Sequence, residues 1–258
     1  ESSRSTESSR VTDGLSSQEI VRWLDELPSY NGVLHVFRGE ISGESLAQAV
    51  NNSAKFQIIN CAEGAFGTIQ GSDNTADRSK RSDSFDYHTD GYFFDIPPPL
   101  FSLVCENSGQ TDSRTAFVDT KEVLRKVEDY LPILGLLKFK YISKSLEQYS
   151  RPLIERHPID GLPITNLVTR GYVEPEVNKD SLPSLPDFRY INEAMSALYA
   201  AVDESVVYIH SWQKGDALIA DNHTFIHARL ATAPDSTRKL SRLWLGHAVD
   251  LDVPQSTK

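Results

Sequence analysis

Apolar residues recur at helical spacing in several stretches of the chain. The first stretch starts at Ser16, and Glu19 completes a capping-box pattern with it. The apolar residues of that stretch are Ile20, Val21, Trp23, Leu24 and Leu27. A second stretch starts at Asp119, with Glu122 at the box position, and its apolar residues are Val123, Leu124, Val127 and Leu131. The pattern predicts amphipathic helices in both places, over INEAMSALYAAVD (191–203), and in a shorter form over SLAQAV (45–50).

Most of the remaining apolar residues form short β-branched and aromatic runs, separated by Gly, Ser, Asn and Pro. The runs in the first half are VLHVF (33–37), FQIIN (56–60), SFDYHTDGYFFDI (84–96) and LFSLVCEN (100–107). Those in the last third are VVYIHSW (206–212), ALIADN (217–222), FIHARL (225–230) and RKLSRLWLGHAV (238–249). Many short strands around a few helices predict a mainly β protein with flanking helices, either a sandwich or a jelly-roll barrel.

The domain organisation follows from where the apolar residues begin and where prolines gather. Residues 1–15 are expected to form a disordered tail, because the first ten, ESSRSTESSR, contain no apolar residue. Residues 16–258 suit a single domain by length. Within that domain, 146–188 is Pro-rich and irregular, and we interpret it as a possible lid insertion that covers the substrate.

Charge and cysteine usage narrow the partners. A formal net charge of −10 would repel nucleic acid and anionic lipid, and no apolar run is long enough to span a membrane. Cys61 and Cys105 have neither metal-ligand nor redox spacing, which indicates reduced, packed thiols. No signal peptide is recognised, although the chain begins without Met. We therefore expect a cytoplasmic protein with no nucleic acid or membrane partner and leave its oligomeric state open.

The first candidate for chemistry is the pair His88 and Asp90 within DYHTDGYFF. Strand alternation would place both on one face, and Tyr92 and Phe94 would continue that face. Such a pair occurs often by chance. On its own the pair is better interpreted as a surface histidine beside a solvated aspartate.

A second group of residues gives the pair a context. It comprises Gly215, Asp216, Leu218, Asp221, Asn222, His227 and Arg238. With His88 and Asp90, and with Thr115 within DSRTAFVD, this order and spacing resembles the taurine dioxygenase and clavaminate synthase-like family. The resemblance runs from about residue 33 to 247.

The resemblance implies a double-stranded β-helix, or jelly-roll, fold and an oxygenase that uses iron(II), 2-oxoglutarate and O2. His88, Asp90 and His227 would bind the iron, and Thr115 and Arg238 would bind the 2-oxoglutarate carboxylate. The expected substrate is a small amino-acid-like or carboxylate-bearing metabolite, in secondary metabolism rather than sulfur scavenging. Hydroxylation, desaturation or cyclisation would release succinate and CO2. A carboxylate at position 90 disfavours halogenation.

Several assignments have alternatives. His223 competes with His227 as the distal ligand, although registration favours His227. Arg242 would lie on the same strand face as Arg238, so it would bind an acidic group of the substrate or replace Arg238 at 2-oxoglutarate. Tyr92 and Phe94 would line the substrate pocket or belong to the core. Asp221 and Asn222 are expected to brace the turn before His227.

Two other functions remain as alternatives. One is a redox-inactive, metal-dependent hydrolase or isomerase on a cupin-like barrel, and the other is a non-catalytic binding module. Thr115 and Arg238 argue against the hydrolase, because it has no need of a keto-acid anchor. Retention of His88, Asp90 and His227 argues against the binding module.

Overall fold

The computed structural model of this protein describes residues 10–14, 16–59, 67–70, 84–92, 94, 97–109, 114–142, 148–166, 173–177, 188–230 and 237–247. The helices are α1 (Ser17–Glu26), α2 (Gly43–Asn52), α3 (Thr120–Lys126), α4 (Leu131–Leu134) and α5 (Phe188–Glu204). The strands of the first half are β1 (Arg10–Asp13), β2 (Leu34–Arg38), β3 (Phe56–Ile58), β4 (Gly67–Gln70), β5 (Phe85–His88), β6 (Leu100–Asn107) and β7 (Arg114–Asp119). Those of the second half are β8 (Leu137–Ile142), β9 (Gln148–Pro152), β10 (Ile154–Arg156), β11 (Pro163–Thr165), β12 (Val173–Val177), β13 (Val206–Ser211), β14 (Ala217–Asp221), β15 (Phe225–Arg229) and β16 (Lys239–His247).

Two sheets form the body of the fold. The major sheet has the order β1-β2-β14-β6-β16-β3, with β4 also paired to β16, and the minor sheet has the order β13-β7-β15-β5. All of these pairings are antiparallel except that of β1 with β2. Smaller sheets join β12-β8-β9 and β10-β11. Many neighbours in both large sheets are distant in sequence, so the fold brings together residues from both ends of the chain.

Alternation along the strands decides which side chains lie between the two sheets. In β14, Leu218 and Ala220 pack in a cluster shared with the minor sheet. Ala217 and Ile219 face the other way, into the cluster formed with α1 and α2. The outer face of the minor sheet packs against α3 and α5. The structure confirms the prediction of a mainly β protein with flanking helices.

The predicted helices are confirmed, and one is shorter than expected. Ser16 and Glu19 form the predicted capping box, with the Ser16 N–H donating to the Glu19 carboxylate at 2.7 Å. The helix that starts after Asp119 ends at Lys126, so Leu131 lies in α4 and not in α3. Pro132 lies in the first turn of α4 and lacks the N–H that a continuous helix would need there.

The start of the fold also differs from the sequence interpretation. Arg10–Asp13 were assigned to the disordered tail, but they form β1 and pair in parallel with β2. Thr12 Oγ1 also lies 3.1 Å from His35 Nε2. Backbone pairing does not depend on apolar side chains, so composition alone missed this strand. Residues 1–9 and 15 lie outside the described part of the chain.

Part of the predicted lid is well connected to the body. Asp160 accepts hydrogen bonds from Lys121 Nζ at 2.7 Å and from Asn31 Nδ2 at 2.8 Å. His157 Nε2 lies 3.1 Å from a carboxylate oxygen of Asp221, the last residue of β14. This part of 148–166 therefore docks on α3, on the segment before β2 and on the end of β14. The covering role of 146–188 stays a prediction, because much of it lies outside the described residues.

Two smaller predictions concern the membrane and the cysteines. None of the helices in the described ranges combines the length and apolar character needed to span a bilayer. Cys105 is buried and has no disulfide, and burial raises the pKa of its thiol to about 12. This thiol is therefore protonated and packed, as expected. Cys61 lies outside the described residues.

Candidate metal centre

Three side chains predicted as metal ligands gather at one end of the minor sheet. His88 ends β5, and its Cα is paired with that of His227 in β15. The two rings have centroids 4.3 Å apart. Together with Asp90 they form a buried group whose ligand atoms all lie within 4.8 Å of one another. We call these three residues the His–Asp–His group.

Asp90 reaches this group through a turn. The expected strand alternation from His88 to Phe94 is wrong, because β5 ends at His88 and Asp90 to Tyr92 form a turn. Gly91 has a φ of 64° there, and a Cβ atom on it would lie 2.6 Å from Pro98 Cδ. A left-handed residue interrupts the extended backbone and redirects the chain.

The Asp90 carboxylate is held by two side chains of β16. Arg242 Nη1 donates to Oδ1 at 3.1 Å, and Trp244 Nε1 donates to Oδ2 at 2.9 Å. Burial alone would raise the pKa of Asp90, but the Arg242 charge, the two nearby histidines and the Trp244 hydrogen bond outweigh it. The net effect is a lowered pKa, so this carboxylate is ionised and oriented.

The two imidazoles are in the form that binds metals. His88 Nδ1 lies 2.8 Å from the Asp86 carbonyl oxygen and so carries the proton, which leaves Nε2 with its lone pair 3.7 Å from Asp90 Oδ1. Burial lowers the pKa of His88. For His227, burial and the neighbouring His88 lower the pKa to about 3.

An unpartnered buried atom also fits a metal at this place. His227 Nδ1 is buried and has no hydrogen-bond partner among the described residues. A buried polar atom without a partner is costly, and metal coordination is one way in which such a nitrogen is satisfied. The His227 ring stacks on Phe101 of β6 at 4.3 Å, so the major sheet supports a side chain carried by the minor sheet. Donor chemistry and burial therefore fit a bound divalent metal.

A cavity opens beside the group, between the two sheets. Its wall includes His88, His227, Thr115, Arg229, Arg238 and Arg242. Thr115 is paired with Arg229, which lies two positions beyond His227 in β15. That spacing places Thr115 roughly 7 Å along the strand from the metal ligand. The predicted metal ligands and the predicted carboxylate anchors thus share one cavity.

The two predicted anchors differ in what they offer. Arg238 is buried, and burial together with Arg229 lowers its pKa to about 10, so it stays charged at neutral pH. The Thr115 hydroxyl oxygen accepts a hydrogen bond from Trp212 Nε1 at 2.8 Å. Its own hydrogen remains available to a ligand. A cation and a hydroxyl donor in one wall suit an anionic group.

The remaining predicted site residues lie in different surroundings. Tyr92 packs against the cluster on the helical side of the minor sheet, and Phe94 meets the Trp244 ring edge-on at 5.4 Å. Neither is among the described residues that line the cavity. Their contact with substrate stays a prediction from the sequence. His223 lies near Tyr30 and His157, with centroids 6.4 and 5.7 Å away, so the structure groups His227 and not His223 with His88.

Asp221 braces the turn before His227, as expected. One of its carboxylate oxygens accepts from the Gly32 N–H at 2.7 Å and the Thr224 hydroxyl at 2.6 Å. The other accepts from the backbone N–H groups of His223 and Thr224, at 2.9 and 3.2 Å. The turn that leads into β15 is therefore tied to the start of β2 and to itself.

Three residues of the site were missed by sequence reasoning. Arg229 lies two positions after His227, and Trp244 lies two positions after Arg242, so alternation along β15 and β16 was a usable signal for both. Trp212 had no such signal. It reaches Thr115 only because β13 lies beside β7.

Comparison with known proteins places these features in a family context. The sequence profile of the taurine catabolism dioxygenase TauD, TfdA family matches residues 7–244. The chain is 28% identical over 175 residues to 3-((Z)-2-isocyanoethenyl)-1H-indole synthase of Fischerella ambigua, and the aligned segment covers 61% of each protein. It is 29% identical over 171 residues to a tyrosine isonitrile desaturase of Erwinia amylovora, covering 60% of this chain and 57% of that protein. The match thus spans about six tenths of these relatives.

Solved structures agree in fold. PvcB of Pseudomonas aeruginosa superposes with a TM-score of 0.72 and 21% identity, covering 92% of this chain and 85% of that one. An asparagine oxygenase in complex with Fe(II), hydroxyasparagine and succinate gives a TM-score of 0.67 and 14% identity, covering 88% and 78%. These likenesses confirm the predicted jelly-roll fold.

Proposed function

We propose, since this chain belongs to the taurine catabolism dioxygenase TauD, TfdA family, that it is an iron(II)- and 2-oxoglutarate-dependent dioxygenase. The reaction would oxidise a C–H bond of a small metabolite with O2 and release succinate and CO2. The observation that carries the proposal is the buried His–Asp–His group, whose ligand atoms lie within 4.8 Å of one another. Two imidazoles and one carboxylate with open positions are the ligand set of non-haem iron(II) oxygenases.

In this proposal His88, Asp90 and His227 hold the iron. His88 offers Nε2, because its Nδ1 is engaged with the Asp86 carbonyl group. Arg242 and Trp244 keep the Asp90 carboxylate in place through their hydrogen bonds. Iron(II) bound there would supply the activation of O2 and the oxidative decarboxylation of the keto acid. The chain's own task is to hold the ligands in position and to exclude water from the cavity.

Arg238 and Thr115 would bind the distal carboxylate of 2-oxoglutarate. Both line the same cavity wall as His227, and Arg238 is buried there with its charge retained. A planar guanidinium binds a carboxylate through two parallel hydrogen bonds, and the Thr115 hydroxyl adds a third donor. This grip would direct the keto-acid end of the molecule towards the metal ligands.

The proposed substrate bears a carboxylate. Arg242 lines the cavity, and one of its five N–H donors holds Asp90, so others remain for a substrate. With Arg229 and Arg238, the described part of the wall carries three guanidinium groups, which favours anionic molecules. Tyr92 and Phe94 are kept as proposed substrate contacts on sequence grounds alone.

The names of two relatives suggest a narrower substrate and outcome. One is an isocyanoethenyl-indole synthase and the other a tyrosine isonitrile desaturase. We extend this chemistry to the present chain and propose an isonitrile derivative of an aromatic amino acid as substrate, with desaturation as outcome. Succinate release should be stimulated by the isonitrile derivatives of tyrosine or tryptophan and not by the parent amino acids. Equal stimulation by the parents would count against this narrower proposal.

The cellular setting and the lid also remain proposals. We propose a cytoplasmic enzyme that acts without nucleic acid or membrane partners, supported by the net charge of −10 and the packed, protonated Cys105 thiol. We further propose that 16–258 act as one domain in which part of 146–188 covers the substrate.

An anaerobic titration tests the oxygenase proposal directly. Metal-free protein is titrated with iron(II) and then with 2-oxoglutarate, and the visible charge-transfer band of the chelate is recorded. The wild type should give the band, and His227→Ala should lose it. Arg238→Ala should need a 2-oxoglutarate concentration at least about tenfold higher to develop the same band. His223→Ala is the matched control and should keep the band.

Two outcomes of this titration would contradict the proposal or its ligand assignment. Tight metal binding without a band on adding 2-oxoglutarate would overturn the proposal and favour the redox-inactive hydrolase or isomerase. Loss of the band in His223→Ala but not in His227→Ala would show that His223, and not His227, is the third metal ligand.

A further inference from the structure

Trp212 makes a buried polar contact with Thr115, the residue proposed to help bind 2-oxoglutarate. Trp212 follows β13, is 5% exposed, and donates from Nε1 to Thr115 Oγ1 at 2.8 Å. An indole N–H is a donor only. The Thr115 oxygen must therefore act as the acceptor in this bond, and the hydroxyl hydrogen has to be given elsewhere.

The direction of that hydrogen matters to an anionic ligand. A threonine hydroxyl rotates and can turn either its hydrogen or its lone pairs towards a ligand. A carboxylate accepts hydrogen bonds and does not donate them, so it is bound only when the hydrogen is turned towards it. Thr115 lines the cavity together with Arg238. The indole donor occupies a lone pair of the Thr115 oxygen, which favours an orientation with the hydroxyl hydrogen free for the ligand.

The indole is itself held by a buried pair. The His210 ring meets the Trp212 ring edge-on at 4.4 Å, and His210 Nε2 lies 3.1 Å from an Asp216 carboxylate oxygen. That oxygen also accepts from the Gln213 N–H at 3.0 Å. Asp216 belongs to the G-D-x-L run that accompanies the distal histidine in the sequence. Asp216 thus contacts His210, and the His210 ring packs on the indole that donates to Thr115.

We propose that Trp212 is a positioning residue for the cosubstrate. Its indole N–H orients the Thr115 hydroxyl so that this hydroxyl donates to the 2-oxoglutarate carboxylate beside Arg238. The inference rests on the proposed function and adds a residue to it. Trp212 does not touch the cosubstrate in this proposal. Its whole effect passes through the Thr115 oxygen, and that makes the proposal testable by a double-mutant cycle.

The measurement is the dissociation constant of 2-oxoglutarate from the Mn(II)-loaded protein, determined by calorimetry without turnover. Trp212→Phe keeps an aromatic ring and removes the N–H, and it should weaken binding about 3- to 10-fold. In a Thr115→Val background the same change should have no further effect. In a Thr115→Ser background, which keeps the hydroxyl, the effect should return. Trp23→Phe, a change in α1 on the outer side of the major sheet, is the matched control and should leave the constant unchanged.

Turnover separates this role from a general loss of structure. Trp212→Phe should raise the KM for 2-oxoglutarate and leave kcat at saturating 2-oxoglutarate within about twofold of wild type. An unchanged dissociation constant in Trp212→Phe, or an equal weakening in the Thr115→Val background, would overturn the inference and leave the proposed function intact. Absence of 2-oxoglutarate binding in the wild type would overturn both.

Discussion

Asn222 is fully buried, and its amide group makes three hydrogen bonds to the backbone around Asp90. Its Oδ1 accepts from the Asp90 N–H at 2.9 Å, and its Nδ2 donates to the carbonyl oxygens of Asp90 and Pro98 at 2.8 and 2.9 Å. The turn that carries Asp90 is short of regular backbone partners, since β5 has already ended. At the scale of single residues, this one amide therefore holds the backbone of the turn that carries Asp90, while Arg242 and Trp244 hold its carboxylate.

Asn222→Ala should destabilise the protein by about 2 to 4 kcal/mol, because it leaves three buried backbone groups without partners. It should also weaken iron(II) binding about tenfold or more, since the backbone that carries Asp90 loses this support. Urea unfolding and a metal titration measure the two effects. Asn192→Ala, at an exposed position of α5, is the control and should change stability by less than about 0.5 kcal/mol. Near-wild-type values for Asn222→Ala would refute the bracing role.

The turn between β13 and β14 connects the two large sheets. Gly215 has a φ of 87°, and a Cβ atom on it would lie 2.0 Å from the Gly39 carbonyl oxygen. Its own carbonyl oxygen accepts from the Ile41 N–H at 3.1 Å. At the scale of elements, this close approach joins the turn that follows Trp212 to the connection between β2 and α2. Only a residue without a side chain fits there.

Gly215→Ala should therefore lower the free energy of unfolding by more than the backbone strain of a positive φ alone would cause. Gly161→Ala is a matched control, because Gly161 has a φ of 70° but open space where a Cβ would be. The control should lose about 1 to 2 kcal/mol from backbone strain. Gly215→Ala should lose at least about 1 kcal/mol more, since backbone atoms must also move apart. Equal losses in urea unfolding would show that the close approach contributes nothing.

The whole molecule buries several histidines in their neutral form. Burial lowers the pKa of His88 and His210, and it lowers the pKa of His223 to about 4 and that of His227 to about 3. In the unfolded chain these groups take up protons near the ordinary value of 6.5. Below that pH the unfolded state binds more protons than the folded state. Acid therefore works against the fold well before the carboxylates are protonated.

Stability of the metal-free protein should be fully present above pH 6.5 and fall as the pH is lowered towards about 4. His223 alone should account for about 1 to 2 kcal/mol of the loss between pH 7 and 5. His223→Gln should show a correspondingly shallower decline, because Gln does not titrate. Urea unfolding at a series of pH values measures both slopes. Parallel curves for the two proteins would show that His223 is not held neutral by the fold.

Some features of the fold and of the candidate site could be predicted from the sequence, and others could not. The Ser16 capping box, α5 and the strands around His227 follow local periodicity, and each appears where it was predicted. The grouping of His88, Asp90 and His227 was also expected, although their binding of iron stays a prediction. The strand β1 was missed because parallel backbone pairing leaves no compositional signal.

The sequence by itself determined the residue types and their local spacing: two histidines, one aspartate, a threonine and several arginines on strand-forming runs. These are enough to indicate a metal centre, an anion-binding wall and a mainly β fold, because side-chain chemistry and strand alternation are local properties. Only the tertiary structure decided that Asp90 lies in a turn held by Asn222 and that Trp244 donates a hydrogen bond to the Asp90 carboxylate. It also decided that Trp212 reaches Thr115. Those contacts join strands far apart in the chain, and such pairings depend on how the two sheets pack rather than on any local pattern.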